Sequence, residues 1–197
     1  MEKLKQAILE QGIVVGEDVL KVDSFLNHQI DPQLMSEIGQ EFVRLFGDRG
    51  ITKVVTIEVS GIAPAIFAGF FLSVPVVFAK KSQSLTLDDD VYTSHVMSFT
   101  KRKEYRITVE KKYITDQDTV LLIDDFLAVG QALNGLIDIV RQAGAKLAGC
   151  GIVIEKGFLR GGDLLREQGV CVQSLAIIES MADRKIIFRE TPEGGNE

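Results

Sequence analysis

Apolar positions along this chain follow two alternating rhythms. Residues 2–11 put Leu4, Ile8 and Leu9 on one side, which predicts a short amphipathic helix. Asp31-Pro32 reads as an N-cap followed by proline at the first helical position. Leu34, Ile38, Phe42 and Leu45 then recur at helical spacing toward a stop near Gly47. Strand and helix patterns alternate from there. Ile51–Ile57 predicts strand, Ile62–Phe71 helix and Val74–Phe78 strand. Thr119–Ile123 predicts strand, Gly130–Gln142 helix, Ala148–Ile154 strand, Gly162–Gln168 helix and Val170–Ile178 strand. These strands are continuously apolar, so both sheet faces should be covered by helices. The expected fold class is α/β, with a doubly wound, mainly parallel sheet.

Residues 82–118 break the rhythm. They hold the Asp88-Asp89-Asp90 run and the charged stretch Lys101-Arg102-Lys103-Glu104. An excursion of that size inside a compact domain is usually a functional flap or disordered. A hairpin with strands near Ser94–Phe99 and Tyr105–Val109 fits it. Residues 191–197, rich in Gly and Glu, are expected to fray.

The 197 residues suit one domain, residues 1–197. A net charge of −6 does not attract nucleic acid or an anionic membrane surface. The longest apolar run, Ile62–Leu72, is interrupted by Pro64 and Gly69 and is too short to span a bilayer. No signal peptide pattern opens the chain. Cys150 and Cys171 both lie in apolar runs and read as buried thiols, which favours a reducing compartment. A soluble cytoplasmic protein is expected, with neither nucleic acid nor membrane as partner.

The most informative segment is Val120-Leu-Leu-Ile-Asp124-Asp125-Phe-Leu-Ala128-Val129-Gly130-Gln131-Ala132. A buried strand is read as ending in two acids, followed by a small-residue loop and a helix start. In open α/β sheets, ligands bind at the carboxyl ends of strands. Backbone N–H groups at the helix start make an anion site that Gly130 lets a phosphate approach. The acids suit hydroxyls, or a Mg2+ that also touches the ligand. A sugar phosphate satisfies both halves. A bare strand end with solvated acids is the bland alternative. A receiver domain does not fit, because its acid pair belongs early in the chain. A dinucleotide site would need G-x-G-x-x-G after a strand, which is absent.

This segment resembles the ribose-phosphate loop of the type I phosphoribosyltransferases. The resemblance implies that Asp124 and Asp125 hold the ribose hydroxyls of phosphoribosyl pyrophosphate, and that Ala128, Val129, Gly130, Gln131 and Ala132 cradle its 5′-phosphate. Family members often carry Thr, Ser or Asn before the glycine and a hydroxyl residue after it; Val129 and Ala132 depart from that. Glu58-Val59-Ser60-Gly61 resembles the pyrophosphate loop, which assigns Ser60 and Gly61 to phosphoribosyl pyrophosphate. Lys80 and Lys81, expected to end the next strand, would face pyrophosphate. Ser94–Arg106 resembles the mobile catalytic flap, with Ser98, Thr100 and above all Lys101 closing over the leaving group. His95 reads as structural. On residues alone, Ser60-Gly61 is an ordinary turn and the lysines are solvated charges.

Hypoxanthine–guanine members carry an Asp where this chain has Ala128. Leu20–Pro32, Ser60–Pro64, Ser84-Leu-Thr-Leu87, Ser98–Lys101 and Ile154–Phe158 are similar instead to bacterial members that use xanthine. That likeness covers nearly all of the chain. It implies transfer of the phosphoribosyl group to N9 of xanthine in purine salvage, with Leu20, Asn27 and Lys156 contacting the base. It also implies a Mg2+ bound mainly through phosphoribosyl pyrophosphate, a homodimer, a hood built mainly from residues 1–35, and a flap spanning about 82–112. The alternatives are a member preferring another purine, or a non-catalytic sensor of phosphoribosyl pyrophosphate controlling transcription. The sensor should carry a DNA-binding module and a basic face. The first 30 residues hold no convincing helix-turn-helix.

Overall fold

The structure, a computed structural model, describes residues 1–82, 90–98 and 103–190. The chain opens with α1 (Glu2–Gln11), the short strands β1 (Ile13–Val15) and β2 (Val19–Lys21), and one π-helical turn, Asp23–Asn27. Then come α2 (Pro32–Phe46), β3 (Lys53–Ile57), α3 (Ile62–Leu72) and β4 (Val76–Ser82). The hairpin β5 (Val91–Ser98) and β6 (Lys103–Glu110) follows. The chain continues with β7 (Thr119–Leu127), α4 (Gln131–Gln142), β8 (Lys146–Lys156), α5 (Gly161–Glu167), β9 (Val172–Ser180) and β10 (Ile187–Phe188).

One sheet runs in the order β10-β9-β8-β7-β3-β4-β6-β5. Its five central strands are parallel; β10 and the β5–β6 hairpin add antiparallel edges. The chain steps outward from β3 to β4, then returns to β7 on the other side of β3. The strand order therefore reverses between β3 and β7. A crevice at such a reversal, at the carboxyl ends of the strands, is where α/β sheets place ligands.

Each face of the sheet has its own core. On one, Leu4, Ile8, Met35, Ile38, Phe42, Phe46, Ala65 and Ala68 pack on Leu121, Ile123 and Val153. On the other, Leu133, Leu136, Ile139 and Leu165 pack on Val55, Leu122, Cys150 and Ile152. The continuous apolar strands report this double cover. Cys150 is fully buried, and burial pushes its thiol up to about 12; Cys171 is half-buried and likewise free.

Asp31 caps α2 as expected, its carboxylate accepting from the Gln33 and Leu34 N–H groups at 2.9 and 3.1 Å. Rings of α2 rest on glycines of β8. A Cβ built on Gly151 would lie 2.7 Å from Phe42, and one on Gly149 2.6 Å from Phe46. Helix α2 ends near Gly47 as expected, but a further 3-10 turn carries the chain to Gly50, whose φ of 65° makes the stop.

Several boundaries differ from expectation. β7 does not end at the acids; it continues to Leu127, paired with β8 through Phe126↔Ile154. β4 runs past the predicted Phe78, through Lys80-Lys81, to Ser82. Both lysines lie within the strand, opposite Thr108 and Ile107 of β6. The hairpin strands are longer than predicted because β5 gains cover from α4. The Gln142 amide donates to Thr93 O at 2.8 Å and accepts from Thr93 N, satisfying backbone groups of an edge strand. Gly135 of α4 lets Val96 and Ile107 come close; a Cβ there would lie 2.7 Å from Val96 Cγ2 and 3.1 Å from Ile107 Cδ1.

Candidate functional site

The two loops singled out from sequence lie side by side at the reversal. The turn after β3 holds Glu58, Val59, Ser60 and Gly61, and its Glu58–Val59 peptide is cis. Gly61 is buried against the neighbouring strand: a Cβ there would sit 2.3 Å from Thr56 Oγ1 and 3.1 Å from Asp124 Oδ1. Glu58 accepts from the Lys81 N–H at 2.6 Å, which ties this turn to β4.

Asp124 is only 4% exposed, and Asp125 is partly buried beside it. The Asp125 N–H donates to Asp124 Oδ1 at 3.0 Å. Burial, reinforced by the Asp125 charge, holds the Asp124 carboxyl well above the usual carboxylate range. Burial raises Asp125 as well. Lys81 and Tyr105 face the pair. Lys81 favours the ionised form of both acids, and its ammonium lies 5.5 Å from the Tyr105 ring centre. Burial raises the Tyr105 phenol, and the Asp124 charge adds to the shift.

Beyond the acids, Ala128, Val129 and Gly130 turn the chain into α4. Gly130 has φ 85°, a left-handed conformation that glycine adopts without strain. The N–H groups of the first turn of α4, from Gln131 and Ala132 onward, have no carbonyl behind them in the helix. These residues line a cleft of about 180 Å3 together with Asp18, Val96, Tyr105, Asp124, Phe126 and Lys156. Lys156 closes its far side. Its ammonium donates to Asp18 O at 2.6 Å and stands 5.6 Å from the Phe126 ring centre. Burial lowers its pKa. The cleft thus has an acidic floor, a helix N-terminus and a partly desolvated cation. That set suits a ligand carrying an anionic group, hydroxyls and an electron-rich ring.

The matching family model decides what kind of chain this is: the phosphoribosyl transferase domain fits residues 22–163. The chain belongs to the phosphoribosyl transferase family. The matched part of this phosphoribosyl transferase runs from the end of β2 through both loops to the start of α5. A Clostridium novyi protein named xanthine phosphoribosyltransferase is 58% identical over 189 residues, covering 96% of this chain and all of its own length. A Listeria innocua protein of the same name is 58% identical over 190 residues, covering 96% of this chain and 99% of its own. Among solved structures, the adenine phosphoribosyltransferase of Rhodothermus marinus superposes with a TM-score of 0.70 at 21% identity, covering 90% of this chain and all of that one. The Giardia lamblia enzyme complexed with 9-deazaadenine gives 0.71 at 24%, covering 88% of this chain and 96% of that one. These likenesses establish the fold, an α/β sheet, mainly parallel, with helices on both sides.

The structure gathers most, not all, of the expected site. Asp124, Asp125, Ser60, Gly61, Lys81, the Ala128–Ala132 turn and Lys156 share one sheet edge. Lys80 does not join them. Strand alternation turns it to the opposite face of β4 from Lys81, where it lines a groove with Val76, Phe78 and Tyr113. Leu20 of β2 is buried, close to Gly12. Asn27 ends the π-helical turn, and its Oδ1 is buried without a hydrogen-bond partner among the described residues. Neither lines the cleft in this conformation. Thr100 and Lys101 fall outside the described residues, and so does the 191–197 tail. His95 pairs across the hairpin with Glu104 at 2.8 Å.

Asp18, Glu58, Val96, Tyr105 and Phe126 also take part in the site, though the sequence assigned none of them a role. Asp18 and Glu58 act through a backbone carbonyl and a reach to the next strand, which leave no pattern in sequence. Phe126 follows the acids directly, and an aromatic at that position was the available signal.

Proposed function

We propose that this chain is a xanthine phosphoribosyltransferase, working in the cytoplasm in purine salvage. One observation carries the reading. An acidic pair at the strand-order reversal runs straight into a glycine turn and helix N-terminus, with Lys156 and Phe126 on the adjoining wall. Relatives of that name, matching over nearly the full length, support the same reading.

In this reading the 5′-phosphate lies on the N–H groups at the start of α4 and the ribose hydroxyls on Asp124 and Asp125. Pyrophosphate lies between Ser60-Gly61 and Lys81, and Lys101 of the flap closes over it. Xanthine presents carbonyl oxygens at C2 and C6. The Lys156 ammonium and the Asn27 amide suit those acceptors. The unpartnered Asn27 Oδ1 suits a ring N–H of the base. Leu20 adds apolar contact. N9 of the base forms its bond to C1′ of the ribose, and the C1′–oxygen bond breaks with its electron pair on pyrophosphate. The N9 proton passes to the departing pyrophosphate, which leaves carrying it. Catalysis is positioning and charge stabilisation, with no covalent intermediate on the protein. The ionised acids stabilise positive charge developing on the ribose, and the flap keeps water out.

The acids also fit Mg2+, a hard cation usually held by one or two carboxylates plus ligand phosphates. No group of three or more His, Cys, Asp or Glu side chains among the described residues forms a metal cage. In this reading the ion is carried in with phosphoribosyl pyrophosphate. Bound there, it would neutralise charge on the leaving pyrophosphate.

We read residues 1–197 as one domain, with a hood, mainly residues 1–35, over the base, and a flap, about 82–112, over pyrophosphate. We also assign a homodimer. Helix α3 is apolar all round, a pattern that calls for cover on every side. Yet Ile66 and Phe70, one turn apart, are 51% and 74% exposed. A second copy over this face supplies the cover. Light scattering at micromolar concentration should read twice the chain mass, and Phe70→Glu should return it to one.

The deciding assay is nucleotide formation from phosphoribosyl pyrophosphate and Mg2+ with xanthine, guanine, hypoxanthine, adenine and orotate in parallel. Xanthine should give the highest kcat/KM. Preference for another base would remove the roles of Leu20, Asn27 and Lys156. Binding of phosphoribosyl pyrophosphate without turnover of any base would leave a sensor.

A further inference from the structure

In the phosphate-binding turn 128–132, four of the five residues, Ala128, Val129, Gly130 and Ala132, carry no polar side chain. Val129 and Ala132 offer no hydroxyl or amide to tie it down. Its support comes from behind. The Gly161 N–H donates to Ala128 O at 3.1 Å. Gly161 is packed so tightly that a Cβ there would lie 2.1 Å from Ala128 O, 2.6 Å from Val129 C and 2.8 Å from Gly130 N. The next residue, Gly162, is packed against a carboxylate; its Cβ would meet Glu155 Oε1 at 2.2 Å and Oε2 at 2.8 Å.

Glu155 is fully buried, the only charged side chain besides Asp124 among the buried polar residues described. It lies in register with Leu127, immediately before the turn. Arg166 of α5 grips it with both guanidinium arms, at 3.0 and 2.6 Å, and the Ser174 hydroxyl of β9 donates to it as well. Arg166 is anchored in turn by Val172 O at 3.1 Å and by Asp163, which Arg189 holds from the β10 edge. An ion pair at this depth is not needed for stability, since apolar residues of similar volume serve as well or better. What it supplies is a fixed position.

We infer that Glu155, Arg166 and the Gly161-Gly162 pair form a rear brace that sets the position of the 5′-phosphate turn. They are positioning residues, touching no substrate, and the inference rests on the phosphoribosyl reading of that turn. The brace takes over the task that side-chain donors within the turn would otherwise perform. Among the described residues the brace touches the turn after β7 and not the loop after β3, so it acts on the 5′-phosphate and not on the pyrophosphate.

Two variants of the full chain test this, Gly161→Ala and Glu155→Gln. Calorimetry would measure binding of ribose 5-phosphate and, separately, of inorganic pyrophosphate with Mg2+. Steady-state kinetics would give KM for phosphoribosyl pyrophosphate. Ribose 5-phosphate affinity should fall about tenfold or more in each variant, the scale on which displaced supporting groups act. Pyrophosphate affinity should stay within about twofold of the parent. Circular dichroism confirms the fold, and if Glu155→Gln does not fold, Gly161→Ala decides alone. A folded Gly161→Ala with unchanged ribose 5-phosphate affinity overturns the inference. Equal losses on both ligands overturn it too, because a general loosening would produce them. If the parent chain binds neither ribose 5-phosphate nor phosphoribosyl pyrophosphate, the reading of the turn fails, and this inference with it.

Discussion

Substituting Gly135 by alanine sets two known effects against each other, and the structure says which wins. Inside a helix, glycine to alanine gains about 1 kcal/mol of propensity. Here the new methyl would lie 2.7 Å from Val96 Cγ2 and 3.1 Å from Ile107 Cδ1. Apolar contacts settle near 3.5–4.0 Å, so Val96 must retreat by roughly 1 Å. It has little freedom to do so. Valine is stiff at χ1, and Val96 is 1% exposed within a paired strand. Overpacking costs about 1–3 kcal/mol, which leaves a net loss of about 0–2 kcal/mol. For a chain of this size that lowers Tm by up to roughly 8 °C. The damage should concentrate on the β5–β6 hairpin, the base of the proposed flap. Hydrogen exchange in peptides spanning 91–98 and 103–110 should rise while β7 and β8 stay protected. Adding Val96→Ala removes the crowded methyls, so the double variant should be more stable than the two single losses summed. A Tm increase with unchanged hairpin exchange, or strict additivity, would refute the packing argument.

Asp124→Asn should abolish turnover and yet stabilise the protein above neutral pH. The folded carboxyl titrates above its unfolded value, so its favourable contribution is complete below about pH 4 and is lost as pH rises through the folded value. Melting curves without Mg2+ should show the Asn variant's advantage shrinking as pH falls; an advantage independent of pH would contradict the assignment. Lys156→Met keeps the apolar stem over Phe126 but removes the ammonium. It should raise the xanthine KM by about ten- to hundredfold, the worth of a charged hydrogen bond, with KM for phosphoribosyl pyrophosphate unchanged. Arg166→Met leaves Glu155 buried and unpaired, a loss of about 3 kcal/mol that thermal melting should register. Adding Glu155→Gln should recover part of it.

What could be read in the sequence was whatever local chemistry decides. Asp31-Pro32 announced the start of α2, and the apolar runs of β7, β8 and β9 announced a sheet covered on both faces. The acid pair with its glycine turn pointed to the right edge of that sheet. Strand ends were misjudged wherever tertiary pairing extends a strand through polar residues, as at Lys80-Lys81 and Asp124-Asp125. Lys80 was misassigned because two adjacent residues of a strand face opposite ways, and only the true register tells which faces the cleft. The β1–β2 hairpin and β10 are too short to carry a periodic signal. The Glu155–Arg166–Ser174 cluster joins residues 8 to 19 positions apart, whose meeting depends on how α5 lies against β9.

Cys150 has a use outside catalysis. Its thiol is fully buried at the centre of the parallel strands and titrates near 12, so a thiol reagent can reach it only when those strands part. The half-buried Cys171, on the neighbouring chain segment, offers a comparison of shallower depth. Labelling the two thiols over time would therefore time two separate events, a local breath and the opening of the whole scaffold. The protein carries its own stopwatch for unfolding, with no probe to be engineered in.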